Sequence, residues 1–137
     1  MIQISKSEDY AVLLVSTLAK HFDIGLVPLS AIAKQHNLSV LFLRNIAQDL
    51  KKAGIITAVE GKTGGYRLVH DPKQILLGKI LESVSKKPLF SCCQNTPDGK
   101  CHASKCSHGL SLRRMHNQFL EKLYDMPLSE ALKQSTL

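Results

Sequence analysis

Apolar residues at the start of the chain recur every three or four positions, which is the spacing of a helix that packs along one side. Residues 5–21 predict a first helix, in which Ser5 and Ser7 are both candidate N-caps and acidic side chains occupy the first turn. Its apolar stripe consists of Ala11, Leu14, Val15 and Leu18. A second, shorter helix opens at residues 28–30 and ends near residues 36–37.

A third helix and a hairpin follow. Ser39 is well placed to cap a helix that runs to about Ala53, and Gly54 lies where a left-handed C-terminal cap is needed. The buried stripe of this helix has offsets of three, four and seven and consists of Leu43, Ile46, Ala47 and Leu50. The β-branched run 55–59, the glycine-rich segment 61–65 and the apolar run 66–69 then predict a β-hairpin.

The remaining chain predicts two more helices on either side of a segment without regular structure. Residues 74–85 form an amphipathic helix, and residues 109–126 form a longer one that Pro127 ends. The expected fold is mostly α with a small β-hairpin, a winged helix-turn-helix domain with a long C-terminal helix. The expected divisions are residues 1–85 for the winged helix-turn-helix domain, 86–108 for a cysteine-rich loop, and 109–137 for the long helix and the C-terminal tail.

A winged helix-turn-helix pattern predicts DNA binding, because a polar-faced helix fits the major groove and a hairpin tip can reach the neighbouring backbone or minor groove. The groove-facing candidates on the third helix are Ser39, Arg44 and Gln48, and Lys51 and Lys52 are better placed for phosphates. Lys62, Thr63 and Arg67 lie on or beside the wing, where Gly64 and Gly65 let backbone amides approach DNA.

Charge supports a polyanionic partner, since the formal net charge is +7. Residues 38–67 carry five basic and two acidic side chains, and residues 86–116 carry six and one. No apolar run approaches the roughly 20 residues of a membrane-spanning helix, and the start of the chain lacks the pattern of a signal peptide. A cytoplasmic protein without a membrane partner is therefore expected.

Four cysteines, Cys92, Cys93, Cys101 and Cys106, lie within fifteen positions. In a cytoplasmic chain such clustering indicates metal or redox chemistry rather than structural disulfides. Adjacent cysteines do not easily reach one ion, so three are expected to bind, with Cys92 as the alternative to Cys93. The spacing leaves an iron–sulfur cluster, a zinc ion and a bare thiol switch all open, because thiolates suit each of them and zinc usually shows two tight pairs of ligands.

This order of elements resembles the Rrf-type (IscR- and NsrR-like) family of bacterial winged-helix transcription regulators. The resemblance covers nearly the whole chain. It rests on residues 7–11 of the first helix, 38–50 of the third helix, 52–54, the hairpin segment 61–68, and three cysteines before a long helix.

The resemblance implies a homodimer built by the long helix and a pseudo-palindromic double-stranded DNA operator. It also implies a 2Fe–2S or 4Fe–4S cluster held by three cysteines, matched here by Cys93, Cys101 and Cys106, and by a fourth ligand of another type. Asp9 matches an acidic ligand from the partner subunit's first helix, with Glu8 as its neighbour, and His108 resembles a histidine ligand just after the third cysteine. The dimer face would consist of Leu112, Met115, Phe119 and Leu123.

The predicted function is a DNA-binding transcriptional regulator whose iron–sulfur cluster senses redox state, nitric oxide or iron–sulfur status. The alternative is a zinc-stapled or thiol-based protein-interaction module that binds no operator. An enzyme is not expected, because residues 61–65 lack the Gly-Lys-Ser/Thr ending of a phosphate-binding loop and no catalytic constellation stands out.

Overall fold

The computed structural model describes residues 4–85 and 109–133, without the side chains of 109–114 and 116. The described part is mostly helical with one two-stranded antiparallel hairpin, as the sequence predicts. In chain order the elements are α1 (Lys6–Lys20), α2 (Leu29–His36), α3 (Val40–Lys52), β1 (Ile56–Val59), β2 (Gly65–Leu68), α4 (Leu77–Val84), α5 (Gly109–Tyr124) and α6 (Leu128–Lys133).

Helix α1 begins with a reciprocal capping box. The Ser5 hydroxyl accepts a hydrogen bond from the Glu8 backbone N–H at 3.3 Å, and the Glu8 carboxylate accepts one from the Ser5 N–H at 2.6 Å. Of the two predicted caps, Ser5 therefore occupies the N-cap position. The box satisfies N–H groups that have no partner inside the helix, and it leaves the Glu8 side chain buried, with 3% of its surface exposed.

One hydrophobic core joins α1, α2, α3, the hairpin and α4. The predicted apolar stripes of α1 and α3 are all buried in it. Leu128 of α6 is fully buried in the same core, although 23 residues outside the described part separate α4 from α5. The core thus extends beyond residue 85 because the end of the chain returns to it, and the division into three parts stays a prediction.

Helix α4 begins three residues later than its apolar pattern predicts. Leu76 pairs in antiparallel fashion with Pro127, the Leu77 N–H donates to the Met126 carbonyl at 2.9 Å, and the Leu128 N–H donates to the Ile75 carbonyl at 2.8 Å. The backbone here is extended because it pairs with a distant segment, an arrangement that local periodicity does not reveal. Leu76, an apolar residue within the predicted helix 74–85, is 38% exposed.

Helix α5 packs against α4 where a glycine makes room for an aromatic ring. Gly78 is buried, and a Cβ atom added to it would lie 2.3 Å from Cδ1 of Tyr124. Leu77 and Leu81 of α4 form a small cluster with Leu123 and Tyr124. Within residues 4–85 and 109–133, none of the helices combines the length and apolar composition that a membrane-spanning segment requires.

Candidate nucleic-acid interface

A tight turn joins α2 to α3. Asn37 has the left-handed backbone conformation, with φ of 54°, and the Leu38 N–H donates to the Ala33 carbonyl at 2.8 Å. Asparagine tolerates this conformation better than most residues, so it closes α2 without glycine. Only residues 37–39 lie between the two helices, which is the connection expected of a helix-turn-helix. The ring of Phe42 then packs edge-on against Tyr10 of α1, with the centroids 5.4 Å apart.

Both ends of α3 are capped as the sequence predicts. The Ser39 hydroxyl accepts a hydrogen bond from the Phe42 N–H at 3.5 Å. At the other end Gly54 has φ of 73°, its N–H donates to the Lys51 carbonyl at 3.0 Å, and the Ile55 N–H donates to the Leu50 carbonyl at 3.1 Å. This is a Schellman motif, and it directs the chain from α3 into the hairpin.

The exposed face of α3 carries polar and cationic side chains. Arg44, Gln48, Lys51 and Lys52 are all exposed, and so is Ser39 at the cap. Two further residues on this face, Leu41 and Asn45, are exposed and were missed in the sequence analysis. The helical spacing could have found them, because steps of four, three and four residues from Leu41 give a stripe opposite the buried one.

The hairpin carries more cations beside α3. Strand β1 pairs with β2 from Ile56 opposite Leu68 to Val59 opposite Gly65. Lys62 and Thr63 are exposed in the turn between them, which a hydrogen bond from the Gly64 N–H to the Gly61 carbonyl closes at 3.0 Å. Arg67 is exposed on β2. The predicted wing side chains are therefore accessible to a partner.

Close packing against backbone atoms explains why glycine occupies both predicted wing positions, Gly64 and Gly65. A Cβ atom on Gly64 would lie 2.2 Å from the Val59 carbonyl oxygen, and one on Gly65 would lie 2.8 Å from the backbone of Val27. Val27 exchanges two 2.9 Å backbone hydrogen bonds with Tyr66 and so pairs with β2 as a single antiparallel bridge, which was not predicted from the sequence. A part for either glycine in DNA binding stays a prediction.

The two acidic candidates for a metal ligand differ in exposure. Glu8 is buried in the capping box, whereas Asp9, the next residue, is exposed. The four cysteines and His108 lie outside the described residues. Within residues 4–85 and 109–133, no three histidine, cysteine, aspartate or glutamate side chains come together in a group that could hold a metal ion.

The candidate dimer face is only partly described. Met115 is 66% exposed and Phe119 is 53% exposed, whereas Leu123 is half-buried against α4. The side chain of Leu112 lies outside the described residues. A groove beside Met115 and Phe119 is also lined by Gln118, Glu121, Lys122, Asp125, Met126, Pro127 and Glu130.

Known proteins resemble this chain along most of its length. The IscR transcriptional regulator of Vibrio campbellii, a helix-turn-helix protein, is 29% identical over 125 residues, which cover 90% of this chain and 73% of that protein. The structure of IscR from T. potens is 28% identical and superimposes with a TM-score of 0.73 over 97% of this chain and 88% of that one. The structure of CymR (YrzC), the global cysteine regulator of B. subtilis, is 25% identical, with a TM-score of 0.80 over 98% of both chains.

A protein-family model matches nearly the whole chain and shows the family to which it belongs. The model of the Rrf2 family, described as iron-dependent transcriptional regulators, matches residues 4–134 and so includes the described fold and the cysteine segment. The winged helix-turn-helix and the exposed cationic face of α3 are the features that DNA-binding regulators require. The chain belongs to the Rrf2 family of transcriptional regulators.

Proposed function

We propose that the exposed face of α3 and the tip of the hairpin hold the operator. The observation that carries this proposal is the contrast between the two sides of α3, one buried and apolar, the other exposed, polar and cationic. Arg44 and Gln48, on the exposed side, suit the base edges of the major groove, because their planar side chains form paired hydrogen bonds with guanine and adenine. Ser39, the N-cap of α3, is expected to join them, because the N-terminal residues of a recognition helix meet the base edges.

Phosphates are the partners of the remaining cations. Lys51 and Lys52 lie at the C-terminal end of α3, while Lys62, with Thr63 beside it, and Arg67 belong to the hairpin. Each phosphate that such a side chain neutralises releases counterions, so binding falls as salt rises. Backbone contacts of this kind fix the position of the protein on the duplex, and the residues of α3 choose the sequence.

A homodimer built by α5 would double this interface. Met115 and Phe119 are large apolar side chains that are exposed to solvent in the single chain. A second copy of α5 packed against them would remove them from water. Two copies related by a two-fold axis recognise a pseudo-palindromic site whose half-sites lie about 34–36 Å apart. Sedimentation of the purified protein tests the dimer. Substitution of Phe119 by aspartate should shift it towards the monomer.

An iron–sulfur cluster is the proposed sensor. Cys93, Cys101 and Cys106 provide soft thiolate ligands, and the description of the family as iron-dependent supports iron as the metal. Asp9 is a better candidate than Glu8 for the ligand to the partner subunit's cluster. The Asp9 carboxylate is exposed, whereas the Glu8 carboxylate already accepts a hydrogen bond from the Ser5 N–H. His108 remains the other candidate. The cluster, when bound, supplies a centre that oxidation, nitric oxide or loss of iron can alter, and operator affinity is the output.

The experiment compares matched cysteine variants of the full chain, purified without air. The wild type is expected to be brown, with visible absorption from the cluster, and to contain iron and sulfide by chemical analysis. Cys93→Ser should lose both, whereas Cys92→Ser, at the adjacent position, should keep them. Operator affinity is then measured for loaded and metal-free protein at one salt concentration. Equal affinities would reject the sensor while leaving DNA binding intact.

A second candidate function is a regulator that senses through its thiols. The structural likeness to CymR favours it, since CymR of Staphylococcus aureus, 27% identical with a TM-score of 0.73, has a structure of its oxidized form. In this case the wild type and both serine variants would be colourless, and a thiol oxidant would change the operator affinity of the wild type. A colourless protein with one zinc per chain and no affinity for DNA would instead indicate the zinc-stapled interaction module.

A further inference from the structure

The exposed stripe of α3 contains one large apolar side chain. Leu41, the second residue of the helix, is 69% exposed, while the four apolar residues of the opposite stripe fill the core. Asn45, Gln48 and Lys52 continue the stripe that Leu41 begins, and all three are exposed. Leu41 is therefore an apolar residue at the N-terminal end of a stripe whose other three members are polar.

The fold itself does not require leucine at this position. Leu41 adds little to the core at such exposure, and alanine serves a helix at least as well. Its position in α3 instead indicates a role in DNA binding. In a helix-turn-helix protein the N-terminal residues of the recognition helix, which is α3 here, contact the base edges. Leu41 lies one turn before Asn45 and on the same side, so it faces the groove wherever Asn45 does.

The major groove offers one apolar group among its donors and acceptors. This group is the C5-methyl of thymine, and apolar side chains contact it in known complexes. We infer that Leu41 reads the methyl group of a thymine in each half of the operator. This inference rests on the proposed function, since it names a base that the DNA-binding face of α3 selects.

The experiment removes the methyl group alone. Duplexes that the full-length protein enriches from a random pool provide the operator, and each thymine in it is replaced in turn by deoxyuridine, which differs only by that methyl. Wild-type protein should lose about fourfold in affinity at the contacted thymine, the change that corresponds to about 0.8 kcal/mol for one buried methyl group. The Leu41→Ala protein should bind the thymine and uracil duplexes equally and more weakly than the wild type binds thymine.

Three further variants separate the explanations. Leu41→Met keeps an apolar contact and should keep the discrimination. Asn45→Ala, on the same stripe, should weaken binding to both duplexes and retain the fourfold difference between them. Val69→Ala, an exposed aliphatic residue beyond β2, should change neither. Unfolding midpoints of all the variants are measured beside the affinities, and that of Leu41→Ala should match the wild type.

Each other outcome is decisive. The inference is wrong if no thymine shows the fourfold loss, or if Leu41→Ala still distinguishes thymine from uracil. It is also wrong if Leu41→Ala weakens both duplexes by the same factor, because Leu41 then contacts something other than the methyl. If the wild type enriches no duplex and shows no salt-sensitive binding, the proposed function itself fails. These results therefore distinguish an error about Leu41 from an error about DNA binding.

Discussion

Substitution of Gly78 by alanine tests how α5 is held on α4. The added Cβ would lie 2.3, 2.6 and 2.7 Å from Cδ1, Cγ and Cβ of Tyr124. Carbon atoms in contact prefer about 3.5–4.0 Å, so the tyrosine must retreat by about 1.2 Å. A new rotamer of Tyr124 does not suffice, because its Cβ is attached to the backbone. Helix α5 itself has to shift.

Two opposing terms set the size of the effect. Overpacking of this kind costs about 1–3 kcal/mol. Gly78 is the second residue of α4, so the advantage of alanine over glycine is smaller there than the value of about 0.5–1 kcal/mol in the middle of a helix, and it offsets only part of that cost. Gly78→Ala should therefore lower the free energy of unfolding by about 1–2 kcal/mol. In a Tyr124→Gly background the clash is gone, and the same substitution should raise the free energy of unfolding by up to about 0.5 kcal/mol.

The assay is urea unfolding of the four proteins of this cycle, followed by far-ultraviolet circular dichroism at one protein concentration. The change of sign is the central result, because helix propensity alone predicts stabilisation in both backgrounds. The two residues are in contact, so a coupling of about 2 kcal/mol is expected. Stabilisation by Gly78→Ala in the wild type, or a coupling near zero, would refute this account of how the two helices pack.

Three other predictions concern the hairpin, alkaline pH and salt. Gly65→Ala should destabilise the protein by about 1–3 kcal/mol, because its Cβ meets the backbone of Val27, and an unchanged thermal midpoint would contradict this. Burial, together with two nearby carboxylates, raises the pKa of Tyr124 above its usual 10.0. The folded protein thus holds that proton more tightly than the unfolded chain, and stability should be full below pH 10.0 and fall as the pH rises through the raised value. Tyr124→Phe should remove this loss, and identical urea midpoints for the two proteins from pH 8 to about 11 would count against it. Lys62→Ala should lower the slope of log affinity against log salt by about one, whereas Lys73→Ala, on an exposed turn before α4, should leave it unchanged.

Local patterns were enough to predict most of the fold. Helix α3 illustrates why, since its cap at Ser39, its buried stripe and its terminal Gly54 all depend on residues that are neighbours along the chain. The same holds for the hairpin, where a glycine-rich turn separates two short β runs. Propensity, capping and hydrophobic spacing agree in these segments, so the sequence specifies them without tertiary information.

Contacts between distant segments could not be predicted in this way. Nothing near Leu76 indicates that its backbone pairs with Pro127, and nothing near Val27 indicates that it pairs with β2. The polar face of α3 was predicted from residue type, which favoured arginine, glutamine and lysine. That criterion passed over Leu41, whose significance comes from its exposure rather than its chemistry.

The return of the chain end to the core has a consequence for how the molecule can be divided. A fragment that stopped at residue 85 would lack Leu128, whose burial contributes about 1.5–3 kcal/mol. It would also leave the Ile75 carbonyl and the Leu77 N–H without their partners from the last segment. We therefore expect the winged helix-turn-helix part and helices α5 and α6 to unfold in one cooperative transition, and a fragment of either to be less stable than the two together.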